Sequence, residues 1–147
     1  MIELLRREFI VDLPREKAWE HLSQVEQWPS WAGHIKQVKV EPATGLGPQS
    51  TGVIRLSNGI RSRFEMAEFN PHRNWKWVGN FLWLTIHYDH RFESVERQRT
   101  RLTWVVLGEG LGVSVFGRLF AKVYAKNLDR AIPALVEEMN AGNGNPD

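Results

Sequence analysis

The sequence predicts an α+β domain: one curved, seven-stranded antiparallel sheet laid along a single long C-terminal helix. Three observations carry this reading. Apolar residues alternate with period two in six successive runs between residues 35 and 107, and each run ends in Gly, Pro, Asn or a charged turn. The connections between runs have the length of antiparallel neighbours. The stretch 112–140 then reads as one helix, about 40 Å long. That is more than a small domain needs merely to cap its core.

In chain order, residues 2–12 alternate loosely and carry Phe9, Ile10 and Val11, a first strand. Pro14 suits the first position of a helix whose buried side is Ala18, Trp19 and Leu22. Ser23 and Glu26 form a capping box, which predicts a second short helix starting there and stopping before Pro29, with Trp28 and Trp31 flanking the proline. Strands follow at 35–41, 51–57, 60–69, 73–79, 82–95 and 100–107. Asn58-Gly59 predicts a two-residue hairpin. Asn70-Pro71, Gly79-Asn80 and residues 96–99 make later turns, and Gly108, Gly110 and Gly112 lead into the last helix.

That helix changes face along its length. Val115, Phe116, Leu119, Phe120, Val123 and Tyr124 form one apolar stripe, and Leu128, Ala131, Ile132, Leu135, Val136 and Met139 form another. The stripe centres differ by about 120°. Pro133 removes the donor for the Asp129 carbonyl and predicts a bend nearby. Either this is an ordinary kinked core helix, or its first half lids a cavity while its second half anchors on another element. The second reading seats the second half on Trp19, Trp28 and Trp31, and sets Phe116, Phe120 and Tyr124 opposite the inward strand residues. One domain spans 1–141, with a frayed tail at 142–147.

Composition narrows the function classes. A hydrophobic content of 42% with 24% charged residues is that of a soluble globular domain. A net charge of +2 does not argue for nucleic acid. Without cysteine there is no disulfide, thiolate nucleophile or thiolate metal site, which fits a reducing compartment. The first residues lack the order of a signal peptide, no run has the ~20 apolar residues of a membrane span, and a cytoplasmic protein is expected. Seven tryptophans are unusually many for 147 residues.

Several segments carry a family resemblance. Val11-Asp12-Leu13-Pro14 continuing through Ala18-Trp19 and Leu22 resembles the opening of the START-like, helix-grip (SRPBCC) superfamily. Gln27-Trp28-Pro29-Ser30-Trp31, Glu68-Phe69-Asn70-Pro71 with Trp75-Lys76-Trp77, and His90-Arg91-Phe92 are similar to its later motifs. Within the superfamily, the chain most resembles the bacterial polyketide cyclase/dehydrase and lipid-transport branch. It departs from the family in the turn before the last strand, where Arg97-Gln98-Arg99-Thr100 replaces a glycine-bearing turn. The resemblance covers nearly the whole chain. It implies a sheet gripping the C-terminal helix around an apolar cavity.

Strand parity then nominates a site. Leu84, Ile86, Tyr88, His90 and Phe92 share the face toward the helix; Thr85, His87, Asp89, Arg91 and Glu93 share the other. Tyr88 and His90 are either satisfied core residues or groups that orient a ligand, with His90 also a candidate acid/base. Trp75 and Trp77 project together, as do Leu102, Trp104 and Val106; their rings either line a pocket or simply fill the core. On 60–69, Ser62, Phe64 and Met66 oppose a charged face of Arg61, Arg63 and Glu65, expected in solvent; turned inward, it would suit a carboxylate or enolate. His87 and His90 face opposite sides of their strand, so no metal is expected.

Three functions follow. The first is binding of a small hydrophobic molecule, a lipid, isoprenoid or aromatic polyketide-like ligand. Trp75, Trp77, Tyr88, His90, Trp104, Phe116, Phe120, Tyr124 and Asn127 would form its site, with no cofactor and with space beneath Phe120. The second is a cyclase, aromatase or dehydratase using the same cavity, with His90 or Tyr88 moving a proton. The third is a quinone or lipid carrier making transient membrane contact through Phe81, Leu82, Trp83 and the basic row Arg118, Lys122 and Lys126.

Overall fold

A computed structural model describes residues 1–143. The expected order of elements is present: β1 (Ile2–Val11), α1 (Arg15–Ser23), the 3₁₀ helix η1 (Val25–Ser30), β2 (Ile35–Glu41), β3 (Thr51–Leu56), β4 (Arg61–Asn70), β5 (Asn74–Phe81), β6 (Leu84–Glu96), β7 (Arg99–Glu109) and α2 (Val113–Asn143). The seven strands form one antiparallel sheet in the order β1-β7-β6-β5-β4-β3-β2. Only β1 is placed out of chain order. It closes beside β7, so the two termini of the sheet's chain path share one edge, and α2 returns along it.

Local chemistry explains where expectation and structure part. Ser23 does not cap η1. It ends α1, and its hydroxyl donates to the Glu20 carbonyl at 3.3 Å, so the capping box does not form. Pro29 lies inside η1, because a 3₁₀ turn of this length requires few of the amide donors a proline removes. The β3–β4 connection is not the two-residue hairpin. Gly59 N–H donates to the Leu56 carbonyl and Leu56 N–H to the Ile60 carbonyl, leaving three residues in the loop with Gly59 at φ 92°. This is a turn followed by a left-handed residue, a position glycine fills at least cost.

Burial follows the predicted parity. Phe64 is buried while Arg61, Arg63 and Glu65 are exposed, so the charged face of β4 lies in solvent and an inward Arg–Glu anion site is ruled out. Leu84, Ile86, His90 and Phe92 are buried on the inner face of β6. On its outer face Asp89 is also buried, held by Asn74 Nδ2 at 2.9 Å and Arg91 Nε at 2.7 Å.

α2 runs unbroken through Pro133 to Asn143. Residues 142 and 143, expected to fray, are therefore helical; the rest of that expected tail, 144–147, lies outside the described residues. Gly117 sets the helix close against β1: a Cβ there would lie 2.9 Å from Leu4 Cδ2, so a larger residue would require the Leu4 side chain to shift. The second half of α2 is deeply seated. Leu128, Ala131, Leu135 and Met139 are buried in one core with Trp19, Trp28, Trp31, Trp75, Trp77 and Trp104. Glu138 ties it to both short helices, accepting from Ser30 Oγ at 2.8 Å and pairing with His21 Nε2 at 2.9 Å. Asp12 N–H donates to Asn140 Oδ1 at 2.8 Å. Among the described residues, no helix is long and apolar enough to cross a membrane.

Candidate functional site

Between the sheet and α2 the aromatic side chains fill most of the interior. Trp77 stacks on Phe64 at 4.1 Å, and a chain of rings runs from Trp77 to Trp28 (5.3 Å), Trp31 (5.4 Å), Trp104 (5.9 Å) and Phe9 (5.0 Å). A second branch packs Trp19 edge-on against Trp75 at 5.2 Å. Such contacts favour offset and edge-to-face geometries. These rings pack the core; they do not line an open pocket.

What remains is a cavity of about 20 Å³, the space of a single water. Its wall brings together Trp28 and Trp31 of η1, Tyr88 and His90 of β6, Trp104 of β7 and Tyr124 of α2. Leu128 completes the helix side, and His34 and Ile35 the loop side. Four of the nine predicted ligand residues thus meet here: Tyr88, His90, Trp104 and Tyr124. Trp75 and Trp77 lie behind them, the first stacked on His90 at 4.8 Å and the second edge-on to it at 5.0 Å. Phe120 is not on the wall; it stacks on Tyr124 at 5.4 Å and meets Phe81 at 5.1 Å, so the expected space beneath it is occupied by side chains. Phe116 is 38% exposed and packs on Trp83 at the rim, away from the cavity. Asn127 is half-buried outside the cavity wall.

Sequence parity did not single out His34, Trp28 or Trp31 as wall residues. The tryptophan pair around Pro29 is the available signal, since two indoles that close together need an apolar surface to pack on.

The electrostatics are those of a dry site. Burial pushes His90 down to about 4, only partly opposed by the Asp89 charge and the Trp75 carbonyl. At neutral pH the ring is therefore uncharged, and the nitrogen facing Trp75, Nδ1, lies 3.4 Å from that carbonyl. Donation from Nδ1 leaves Nε2 as an acceptor. Burial likewise raises the Tyr88 and Tyr124 phenols well above their ordinary value, so both stay neutral donors. The indole N–H groups of Trp75 and Trp104 are buried without a hydrogen-bond partner. An unpaired buried donor costs about 1–3 kcal/mol. Among the described residues no group of three or more His, Asp or Glu is placed to hold a metal ion; His87 turns away from the cavity to Glu109, 3.2 Å distant.

Comparison with known proteins fits this architecture. No curated protein sequence matches the chain. A hypothetical protein of Helicobacter pylori superposes with a TM-score of 0.75 at 17% identity, over 91% of this chain and 86% of that one. A START superfamily protein from Mycobacterium smegmatis gives 0.69 at 12% identity, over 93% and 99%. The di-domain ARO/CYC protein StfQ of the steffimycin biosynthetic pathway gives 0.70 at 12% identity, over 95% of this chain and 46% of that one. At these identities the likeness is one of fold. The sequence model of the family described as polyketide cyclase/dehydrase and lipid transport matches residues 4–140. With that match spanning nearly the whole grip of sheet and helix, the chain belongs to the polyketide cyclase/dehydrase and lipid transport family.

Proposed function

We propose that the chain binds a small hydrophobic molecule, of lipid, isoprenoid or aromatic polyketide-like character, between the concave face and the first half of α2. The observation that carries this reading is the convergence of Tyr88, His90, Trp104 and Tyr124 on one gap in an otherwise apolar interior. The unpaired Trp104 N–H offers a donor there, and neutral His90 offers an acceptor. A few placed polar groups among aromatic walls are what fix a ligand's orientation in such sites.

The grip is closed here. A ligand of ordinary size needs about 300 Å³ or more, so binding requires Tyr124 and Phe120 to move outward with their part of α2. That half is held by a small cluster of Leu84, Ile86 and Val106 with partly buried neighbours, whereas the other half is sealed into the main core. Outward movement of the first half is therefore the less costly one, and the ligand's affinity is reduced by the rarity of the open state.

The enzyme reading, a cyclase or dehydratase, is less well supported. A histidine held near 4 is a weak base at neutral pH and is almost wholly uncharged there, so it is also a poor acid. The raised tyrosines are poorer acids than free phenol. A carrier that exchanges its cargo at a bilayer is the same binding reading with an added surface.

Native mass spectrometry of the protein purified from its own host tests the proposal. A co-purified apolar molecule, lost when Val106→Trp fills the gap, is the expected result. An unliganded mass, together with no calorimetric heat from fatty acid, isoprenoid alcohol or polycyclic phenol probes, would overturn it. If His90→Ala abolishes conversion of a bound molecule but leaves its affinity intact, the enzyme reading replaces it.

A further inference from the structure

The outer face of the first half of α2 is uncovered. Val115, Leu119 and Val123 are 67%, 57% and 60% exposed, and at four-residue spacing they form one stripe along the helix. Arg118, Lys122 and Lys126 form a second exposed stripe beside it. From Val113 to Leu128 the helix carries no carboxylate; the first, Asp129, is already paired with Arg7 at 2.9 Å.

Two turns carry the apolar surface past the helix N-terminus. Leu82 and Trp83 in the β5–β6 turn and Leu111 in the β7–α2 loop are 63%, 56% and 87% exposed. They form one built tip. Trp83 Nε1 donates to the Leu111 carbonyl at 2.7 Å, and its ring meets Phe116 edge-on at 5.0 Å. Leu82 is held at φ 56°, a left-handed conformation unfavourable for any residue with a Cβ, while its side chain stands in water. The two-residue turn between Phe81 and Leu84 sets that φ, and the residue it turns outward is a leucine, which extends the apolar tip.

We propose that this face docks on an anionic phospholipid bilayer. Leu82, Trp83 and Leu111 enter the boundary between headgroups and acyl chains, and α2 lies in the surface plane with Arg118, Lys122 and Lys126 against lipid phosphates. Apolar and cationic stripes running side by side are the pattern of an in-plane interfacial helix, and an indole at the rim belongs at headgroup level. A second copy of this chain is a poorer occupant, because a two-fold contact through this face would bring each basic stripe toward the other with no acid between. The surface stands independently of the small-molecule reading, since it needs no cavity.

Cosedimentation with vesicles of phosphatidylcholine, with and without about a third phosphatidylserine, tests it. The expected result is binding to the anionic vesicles alone, weakening as salt rises. The triple variant Arg118→Glu, Lys122→Glu, Lys126→Glu should lose binding by about 100-fold or more, at roughly fivefold per cation. Leu82→Ser with Trp83→Ser should weaken binding to the anionic vesicles without altering the salt dependence. All five side chains are exposed, so unchanged circular dichroism verifies folding in each variant. Equal binding to both vesicle types, binding to neither, or a dimer in solution that Leu119→Ser dissociates would each overturn the proposal. Native mass spectrometry reads the cavity separately, so failure of one proposal leaves the other distinguishable.

Discussion

The two halves of α2 are built from similar residues and do opposite things. From Leu128 onward, one apolar face is sunk among six tryptophans, and Glu138 and Asn140 tie the helix to α1, η1 and the end of β1. Before Leu128, comparable aliphatic side chains face outward, and Val113, Phe120, Tyr124 and the small residues Gly117 and Ala121 meet the sheet. Amphipathicity alone does not distinguish these cases, because both halves carry an apolar stripe. The difference lies in what the sheet presents. Under the second half it joins the short helices in a bed of indoles; under the first it offers only the small aliphatic cluster of Leu84, Ile86 and Val106.

The largest expected effect contrasts the halves directly. Leu135→Ala, at a fully buried position, should cost about 2–5 kcal/mol in chemical denaturation, whereas Leu119→Ala should stay within about 0.5 kcal/mol. Comparable losses would mean that the first half is packed as firmly as the second. Next comes acid. His90 sits near 4 when folded against an ordinary 6.5, so the unfolded chain binds more protons between those values. Stability contributed by this group is full above about 6.5 and falls as pH drops toward 4, by on the order of 3 kcal/mol. Denaturation midpoints across that window should show the slope, and His90→Gln should flatten it. The smallest effect is at the tie between helices. Glu138→Gln keeps the shape but weakens acceptance from Ser30 and His21, at about 1 kcal/mol, and should raise hydrogen exchange in the last turns of α2 more than in the first.

Much of this was legible in the chain because strand parity is a strong constraint. A one-residue slip would have exposed Trp75, Trp77 and His90 together, and all three are buried where alternation places them. The long helix and its change of face were equally legible. The helix-start signal at Ser23 misled because it reads a local motif, while α1 had already claimed that hydroxyl for its own last turn. The site was only partly legible. Whether aromatic rings enclose space or consume it depends on rotamers, and Trp28, Trp31 and Trp104 turned toward one another. Phe116 shared its stripe with Phe120, yet nothing in the pattern says that its ring leans out onto Trp83 instead of into the core.

The exposure of Trp83 separates it optically from the six other indoles, which are all buried. Its emission belongs to a watery environment while theirs belongs to an apolar one. The red edge of the spectrum, open to quenchers in solution, reports the tip; the blue edge reports the packed interior. One unlabelled protein therefore carries two built-in fluorophore populations, one for what happens at its rim and one for whether its centre has opened.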